Sequence, residues 1–396
     1  MNGGGNILHL NVYGRCGENG DRQCKCGSGN LIAEKKPNTP VTGFTCYTHG
    51  LRNGYGNTFT LNNKLQDGGK IIEVRGLVRE PISGVKKVSV YYWDQAETKP
   101  LLLEVKYGGG TTIYYAKDNN GGSNWNFIFQ SQSSKELEEK LDELVCLHHN
   151  AVTINLSKGL STGGQHNYCC SGNHGQKVSV TPVKVSCNKQ GHQRHFKYYK
   201  HEVNTSSGTG IKLAAIKYYV GGNSLKNRNN ITLSGQSISD VKSVYAFYCS
   251  ENDPVLIYVD SPGQGVNGWY KKGNSDSSGN EEWTKVPDLR EITHRNLDAG
   301  TLNHEQYNQL VGALIEAGCT SYKECPAPTA PLSTSSDDST PASPAPGTAE
   351  KFVFEYATGL GVIVSSVFGG SGLTGFLGYK GYKLLKNSRD PWVRQI

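Results

Sequence analysis

The sequence predicts a mainly β protein: two tandem β-sandwich-like modules, each closed by one amphipathic helix, then a disordered stalk and one C-terminal transmembrane helix. Three observations lead there. A repeat recurs at an offset of 154 to 158 residues, β-branched and aromatic runs alternate with Gly/Asn turns, and Tyr356–Tyr379 carries no formal charge. At 396 residues the chain exceeds one ordinary domain. Its 49 glycines, 19% charged residues and negative mean hydropathy suit a turn-rich head rather than a polytopic membrane protein.

The repeat sets the first two boundaries, 1–149 and 150–325. Ile82–Val88 is echoed by Ile238–Val244, Val90–Trp93 by Ala246–Cys249, Lys99–Val105 by Asp253–Val259, and Tyr114–Lys117 by Trp269–Lys272. A Gly/Asn-rich turn then leads to Trp125 in one copy and Trp283 in the other. Upstream, Ile7–Asn11 resembles Val152–Asn155, and Pro40–Cys46 resembles Pro182–Cys187. Strands are expected at Lys70–Val78, Val85–Trp93 and Leu101–Lys106 with their copies. The aromatic runs Tyr91–Trp93 and Tyr245–Tyr248 read as core residues on alternate strand faces rather than as a ligand platform.

Each module ends in a helix. In the first, Ser133 and Glu136 form a capping box and Leu137, Leu141, Leu144 and Val145 share a face. In the second, Asn303 caps, Tyr307, Leu310, Val311 and Leu314 share a face, and Gly318 stops the helix. Residues 326–350 then turn to Pro, Ala, Ser and Thr, which cannot build a core and read as a disordered stalk.

Residues 356–379 are long enough to cross a bilayer as a helix, since ~20 apolar residues suffice. Lys380, Lys383, Lys386, Arg389 and Arg394 follow, opposed by Asp390, so the tail 380–396 is basic and is expected in the cytosol. Gly361, Ser365 and Gly369 form a small-residue ridge suited to helix self-association. The expected partner is therefore the lipid bilayer, with a further protein ligand of unknown identity. The net charge of +7 falls largely on the tail, and no basic stripe with interleaved aromatics suggests nucleic acid.

All 11 cysteines precede the apolar run, which suits an oxidised lumenal or extracellular head. By the repeat, Cys24 and Cys26 correspond to Cys169 and Cys170, Cys46 to Cys187, and the post-helix Cys146 to Cys319. Cys16, Cys249 and Cys325 are left over. These eight recurrent thiols are the disulfide candidates, two bonds per module, and four cysteines allow three pairings. Free thiols are one alternative. Another is zinc at Cys24, Cys26, Cys46 and His49, which the second module does not reproduce because Gln190 stands in place of His49. Asn155, Asn204 and Asn230 head glycosylation sequons. No secretory h-region is visible at the N-terminus, which leaves a tail-anchored, cytosol-facing scaffold as the alternative to a displayed head.

No catalysis and no cofactor is expected. Gly263–Gly268 spells a dinucleotide fingerprint, but it leads into the strand at Trp269 and matches Gly108–Gly110 of the first module, so a hairpin turn accounts for both. Gly159–Gly163 spells a nucleophile elbow without strand–helix context. The histidines at His148, His149, His192, His195 and His201 lack ligand spacing and read as solvated loop residues.

Three groups of residues carry a resemblance to a large multigene family of piroplasm parasites, of the Theileria equi type. They are Val85–Trp93 with Pro100–Val105 and the copies Val241–Tyr248 with Pro254–Val259, the helix-then-Cys ends at Cys146 and Cys319, and the terminal GFLGYKGYKLLKNSRDPWVRQI from Gly375. The resemblance implies a membrane-associated protein displayed for binding or antigenic variation, and it supplies no catalytic residues.

Overall fold

The computed structural model describes residues 7–12, 31–38, 40–52, 58–67, 69–72, 74–75, 81–117, 124–130, 134–157, 166–168, 177–187, 195–204, 210–222, 228–249, 253–263, 265–273 and 279–326. The chain divides into two compact units, Met1–Thr329 and Ala330–Ile396. The expected stalk, the span Tyr356–Tyr379 with Gly361, Ser365 and Gly369, and the basic tail all lie outside the described residues. No helix among the described residues is long and apolar enough to cross a membrane.

The first module contributes β1 (Ile7–Leu8), β2 (Leu31–Pro37), β3 (Phe44–Leu51), β4 (Phe59–Leu61), β5 (Gln66–Asp67), β6 (Lys70–Ile71), β7 (Val74–Arg75), β8 (Ile82–Trp93), β9 (Pro100–Tyr107), β10 (Thr112–Lys117), β11 (Trp125–Gln130) and α1 (Ser134–His149). The second contributes β12 (Ala151–Asn155), β13 (His166–Tyr168), β14 (Val178–Cys187), β15 (His195–Val203), β16 (Lys212–Tyr219), β17 (Arg228–Thr232), β18 (Ser243–Tyr248), β19 (Pro254–Asp260), β20 (Gly268–Lys271), β21 (Asn280–Glu282), β22 (Thr284–Lys285), α2 (His294–Ala299), β23 (Thr301–Leu302) and α3 (His304–Glu316). The chain is mainly β, as its β-branched and aromatic runs predict.

The strand order of one module repeats in the other. An antiparallel meander β2-β3-β8-β9-β10-β11 is matched by β14-β15-β18-β19-β20-β22. Register makes the match residue by residue. Val88 pairs with Val105 and His49, while Val244 pairs with Val259 and His201. The parallel pairing of Ile7 and Leu8 with β4 likewise has its copy in Ala151 and Val152 on β16.

Each meander buries both faces, because alternate side chains of a strand point to opposite sides. In the second module Val244, Ala246 and Tyr248 face Ile154, Ile216 and Ile231 of the four-stranded sheet β12-β16-β17-β21, so two sheets enclose one core. Tyr245 and Phe247 face Tyr307, Leu310, Val311 and Leu314 of α3. In the first module Val88, Val90 and Tyr92 join the core with Leu8 and Phe59, while Tyr91 and Trp93 pack under Leu137, Leu141, Leu144 and Val145 of α1. Both expected helix faces and the alternating aromatic strands are thus core. At about 25 cal/mol per Å², each fully buried Leu or Val of these faces contributes roughly 1.5–3 kcal/mol.

Several expectations are corrected. The second module is closed by more than one helix: a 3-10 turn at Pro287–Leu289 and α2 also pack on its sheet. Strand register equates β3 with β15 rather than with β14, so Cys46 on β3 is the counterpart of Tyr198 and not of Cys187. Cys146 lies inside α1, not after it, whereas Cys319 lies beyond the end of α3. His201 sits on β15 fully buried, and His148 and His149 end α1 half-buried, so none of the three is a solvated loop residue.

Candidate functional site

The second module is stapled by Cys187–Cys325 and Cys249–Cys319, which tie the segment after α3 to β14 and to the end of β18. Two of the three thiols left over by sequence matching, Cys249 and Cys325, are the partners of the recurrent Cys319 and Cys187. Cys146 is also disulfide-bonded. Cys24, Cys26, Cys169 and Cys170 lie outside the described residues. Cys46 is a buried free thiol, which corrects its place among the disulfide candidates. The reason is topological. Trp93 stands where Cys249 does, and after α1 the chain enters β12 at Ala151 with no counterpart of the Cys325 segment. Burial pushes the Cys46 thiol up, against hydrogen bonds from Thr48 and Ser89, and keeps it protonated. Zinc shared by Cys46 and His49 is ruled out by parity. Cys46 belongs to the face under α1, and His49, three residues on, points to the opposite face.

Of the sequons, Asn155 is 7% exposed on β12 and its Oδ1 accepts the Ser157 N–H at 3.0 Å, so a glycan has no room there. Asn230 is half-buried on β17 and its Nδ2 donates to Asn280 Oδ1 at 3.1 Å. Asn204 is half-buried at the end of β15, and the rest of its sequon lies outside the described residues.

The cavity with the most chemistry lies where the modules meet. It measures about 290 Å³ and is walled by Phe44, Trp93 and Gln95 of the first module, Asp142 of α1, and Lys217 and Gln236 of the second. A shallower space of about 530 Å³ shares Thr42, Gly43, Asn230 and Thr232 with it and extends to Asn280 and Glu282. Clefts between modules are common ligand sites, and the size suits a small molecule.

An ion-pair cluster forms its floor. Lys217 Nζ reaches Glu138 Oε1 at 2.8 Å and Asp142 Oδ1 at 3.3 Å, and Arg228 Nη2 reaches the same two carboxylates at 3.1 and 2.5 Å. Lys217 is 2% exposed and Arg228 5%. Burial pushes the Asp142 carboxyl up, but Lys217 and Arg228 together outweigh it and hold it below the usual carboxylate range. Lys217 also stands 5.9 Å above the Phe44 ring. The acidic side of a first-module helix is thereby neutralised by second-module bases, which fixes the two modules around the cleft. Removing one carboxylate would leave a buried cation uncompensated, at a cost of about 3–5 kcal/mol.

The remaining walls mix aliphatic side chains, Val145, Ala214, Ile231, Leu233 and Ile238, with hydroxyls and amides. The Thr45 hydroxyl donates to Asp94 at 2.6 Å, but Thr45 is 1% exposed, so a substrate does not reach it. The arrangement sets the polar side chains of Thr42 and Gln236 beside the rings of Phe44 and Trp93, with Asn230 and Thr232 already donating to Asn280 and to the Glu281 carbonyl and its strongest charges engaged. That is the chemistry of a seat for a small neutral molecule with a large apolar part. Sequence reading found none of it, because these residues come from separate loops and strands of both modules. The described residues of the Gly263–Gly268 motif connect the antiparallel strands β19 and β20 as a hairpin, as expected, and Gly159–Gly163 lies outside the described residues. No family model, curated protein or solved structure matches the chain.

Proposed function

We propose that the chain is a single-pass, membrane-anchored display protein whose two-module head acts by binding, with its cytosolic tail at 380–396. The observation that carries this reading is the pair of disulfides closing the second module, since such bonds persist in oxidising compartments. Support comes from the uncharged run Tyr356–Tyr379, which separates every cysteine from the basic tail, and from the resemblance to a displayed parasite family. The cleft between the modules is the seat for a small neutral, largely apolar ligand, and Asn204 is the sequon that can carry a glycan on such a head. A binding role fits a cleft whose buried charges are engaged with one another. It fits catalysis less well, which calls for a nucleophile and base within reach of a substrate.

Protease protection on intact cells, mapped without reduction, tests this. The expected result is cleavage in residues 326–349 that releases a head in which Cys187–Cys325 and Cys249–Cys319 resist alkylation. A protected head whose four thiols alkylate freely would overturn it and favour the cytosol-facing scaffold.

A further inference from the structure

The face of the meander on which the helix packs consists of rows of cross-strand neighbours, and the rows can be compared between modules. In the second module one row runs Thr181, Lys200, Tyr245, Tyr258, Trp269, and the next runs Ser179, Glu202, Ser243, Asp260. The 3-10 turn and α2 lie over them. Trp269 Nε1 donates to the Ile292 carbonyl at 2.7 Å, and the Tyr198 hydroxyl donates to the Leu297 carbonyl at 2.6 Å. The Asp298 carboxylate accepts from the Tyr245 hydroxyl at 3.0 Å and from Lys200 at 3.2 Å, and His294 stands 3.4 Å from Asp260. A short helical segment of mixed charge therefore occupies this face, meeting Lys200 with the Asp298 carboxylate and Asp260 with the His294 ring.

In the first module the matching rows run Glu34, Thr48, Ser89, Glu104, Tyr114 and, beyond them, Lys87, Lys106, Thr112. The chain passes from β11 to α1 without an α2, and among the described residues no helix covers this end of the sheet. What remains is a cleft of about 290 Å³ with Thr48 on its floor and Lys36, Lys86, Lys87 and Lys106 around it, against the single carboxylate of Glu34. Lys36 pairs with Glu34 at 3.0 Å, and Lys86, Lys87 and Lys106 have no carboxylate partner among the described residues. Lys87 and Lys106 are direct cross-strand neighbours, an arrangement that costs stability through like-charge repulsion. The positions of Lys87 and Lys106 are Ser243 and Asp260 in the covered module, so the lysines belong to the open face alone.

We propose that this lysine-rimmed cleft of the first module seats an acidic peptide segment of a partner protein, in the place that α2 holds over the second module. The carboxylates of the segment take the part that Asp298 plays against Lys200 and Tyr245, and they relieve the Lys87–Lys106 repulsion. This names the partner chemistry for the displayed binding head, but the contact can be tested without reference to topology.

The test titrates a fluorescent oligo-aspartate peptide into the purified full chain at low salt, with an oligo-asparagine peptide and a sulfated disaccharide as comparisons. The aspartate peptide is expected to bind, with affinity falling as salt rises, and the asparagine peptide is not. Lys87→Glu with Lys106→Glu should weaken binding by about tenfold or more, and Lys242→Glu, at the second-module counterpart of Lys86, by less than about twofold. Lys87→Glu alone should raise the melting temperature while weakening the peptide, which separates lost binding from lost folding. Equal weakening by Lys242→Glu, tighter binding of the disaccharide than of the peptide, or no binding at low salt would each overturn the proposal.

Discussion

Over the second module α2 sets its Leu297 carbonyl on Tyr198 and its Asp298 against Lys200 and Tyr245, whereas the same sheet positions in the first module carry Cys46, Thr48 and Ser89. Two copies of one strand order have diverged where a covering segment is present in one and missing in the other. Under cover the rows are aromatic, with Tyr198 stacked on Phe247 at 4.7 Å, because a dry face gains most from large apolar area. Without it the rows are short and polar near the helix and cationic beyond, with Tyr91 donating to Glu104 at 2.6 Å. The opposite face, where two sheets meet, has not diverged in this way. Val88 and Val244, and the buried His49 and His201, hold equivalent places.

The strongest way to break the comparison is to release the segment that closes the second module. Cys325→Ser and Cys319→Ser should each lower stability by about 2–5 kcal/mol in denaturant titrations, in the chain-entropy account of cross-links that close long loops. Both bonds close long loops, with sequence separations of 138 and 70. Unchanged midpoints would mean that the segment after α3 is held by packing alone and that the asymmetry between modules is not enforced by the bonds.

A smaller effect probes what the modules share. Burial holds His201 neutral, with its pKa pushed down to about 3, below the unfolded value of about 6.5. The unfolded chain thus binds this proton first, so stability is full above about pH 6.5 and falls by about 1.4 kcal/mol per pH unit toward pH 3. Asp142, with its lowered pKa, contributes above the ordinary carboxylate range and loses that contribution only at lower pH. His201→Leu should flatten the slope between pH 6.5 and 4.5 in urea titrations. An unchanged slope would place the acid sensitivity elsewhere.

Much of this comparison was legible in the residues. The offset between Ile82–Val88 and Ile238–Val244 gave strand register directly, and helix periodicity placed Leu137, Leu141, Tyr307 and Leu310 on their buried faces. Matching cysteine to cysteine misled, because Cys46 and Cys187 sit on different strands of the meander, and partners 138 residues apart leave no local trace. The six-residue α2 is too short for periodicity. Its sequence signs are the capping pair Thr293 and Asn296, Gly300 after its end, and a longer interval from Trp283 to Asn303 than from Trp125 to α1. The inter-module cleft had no signal, since pairing of Lys217 and Arg228 with Glu138 and Asp142 depends on how α1 docks on the next module.

That α2 is a docked cover for the second sheet face can be measured by a double-mutant cycle between Asp298→Asn and Tyr245→Phe. The hydrogen bond of 3.0 Å between a half-exposed carboxylate and a buried tyrosine predicts a coupling energy of about 1 kcal/mol. Additive losses, with coupling indistinguishable from zero, would contradict the docking of α2 on this face and with it the contrast between a covered and an open module.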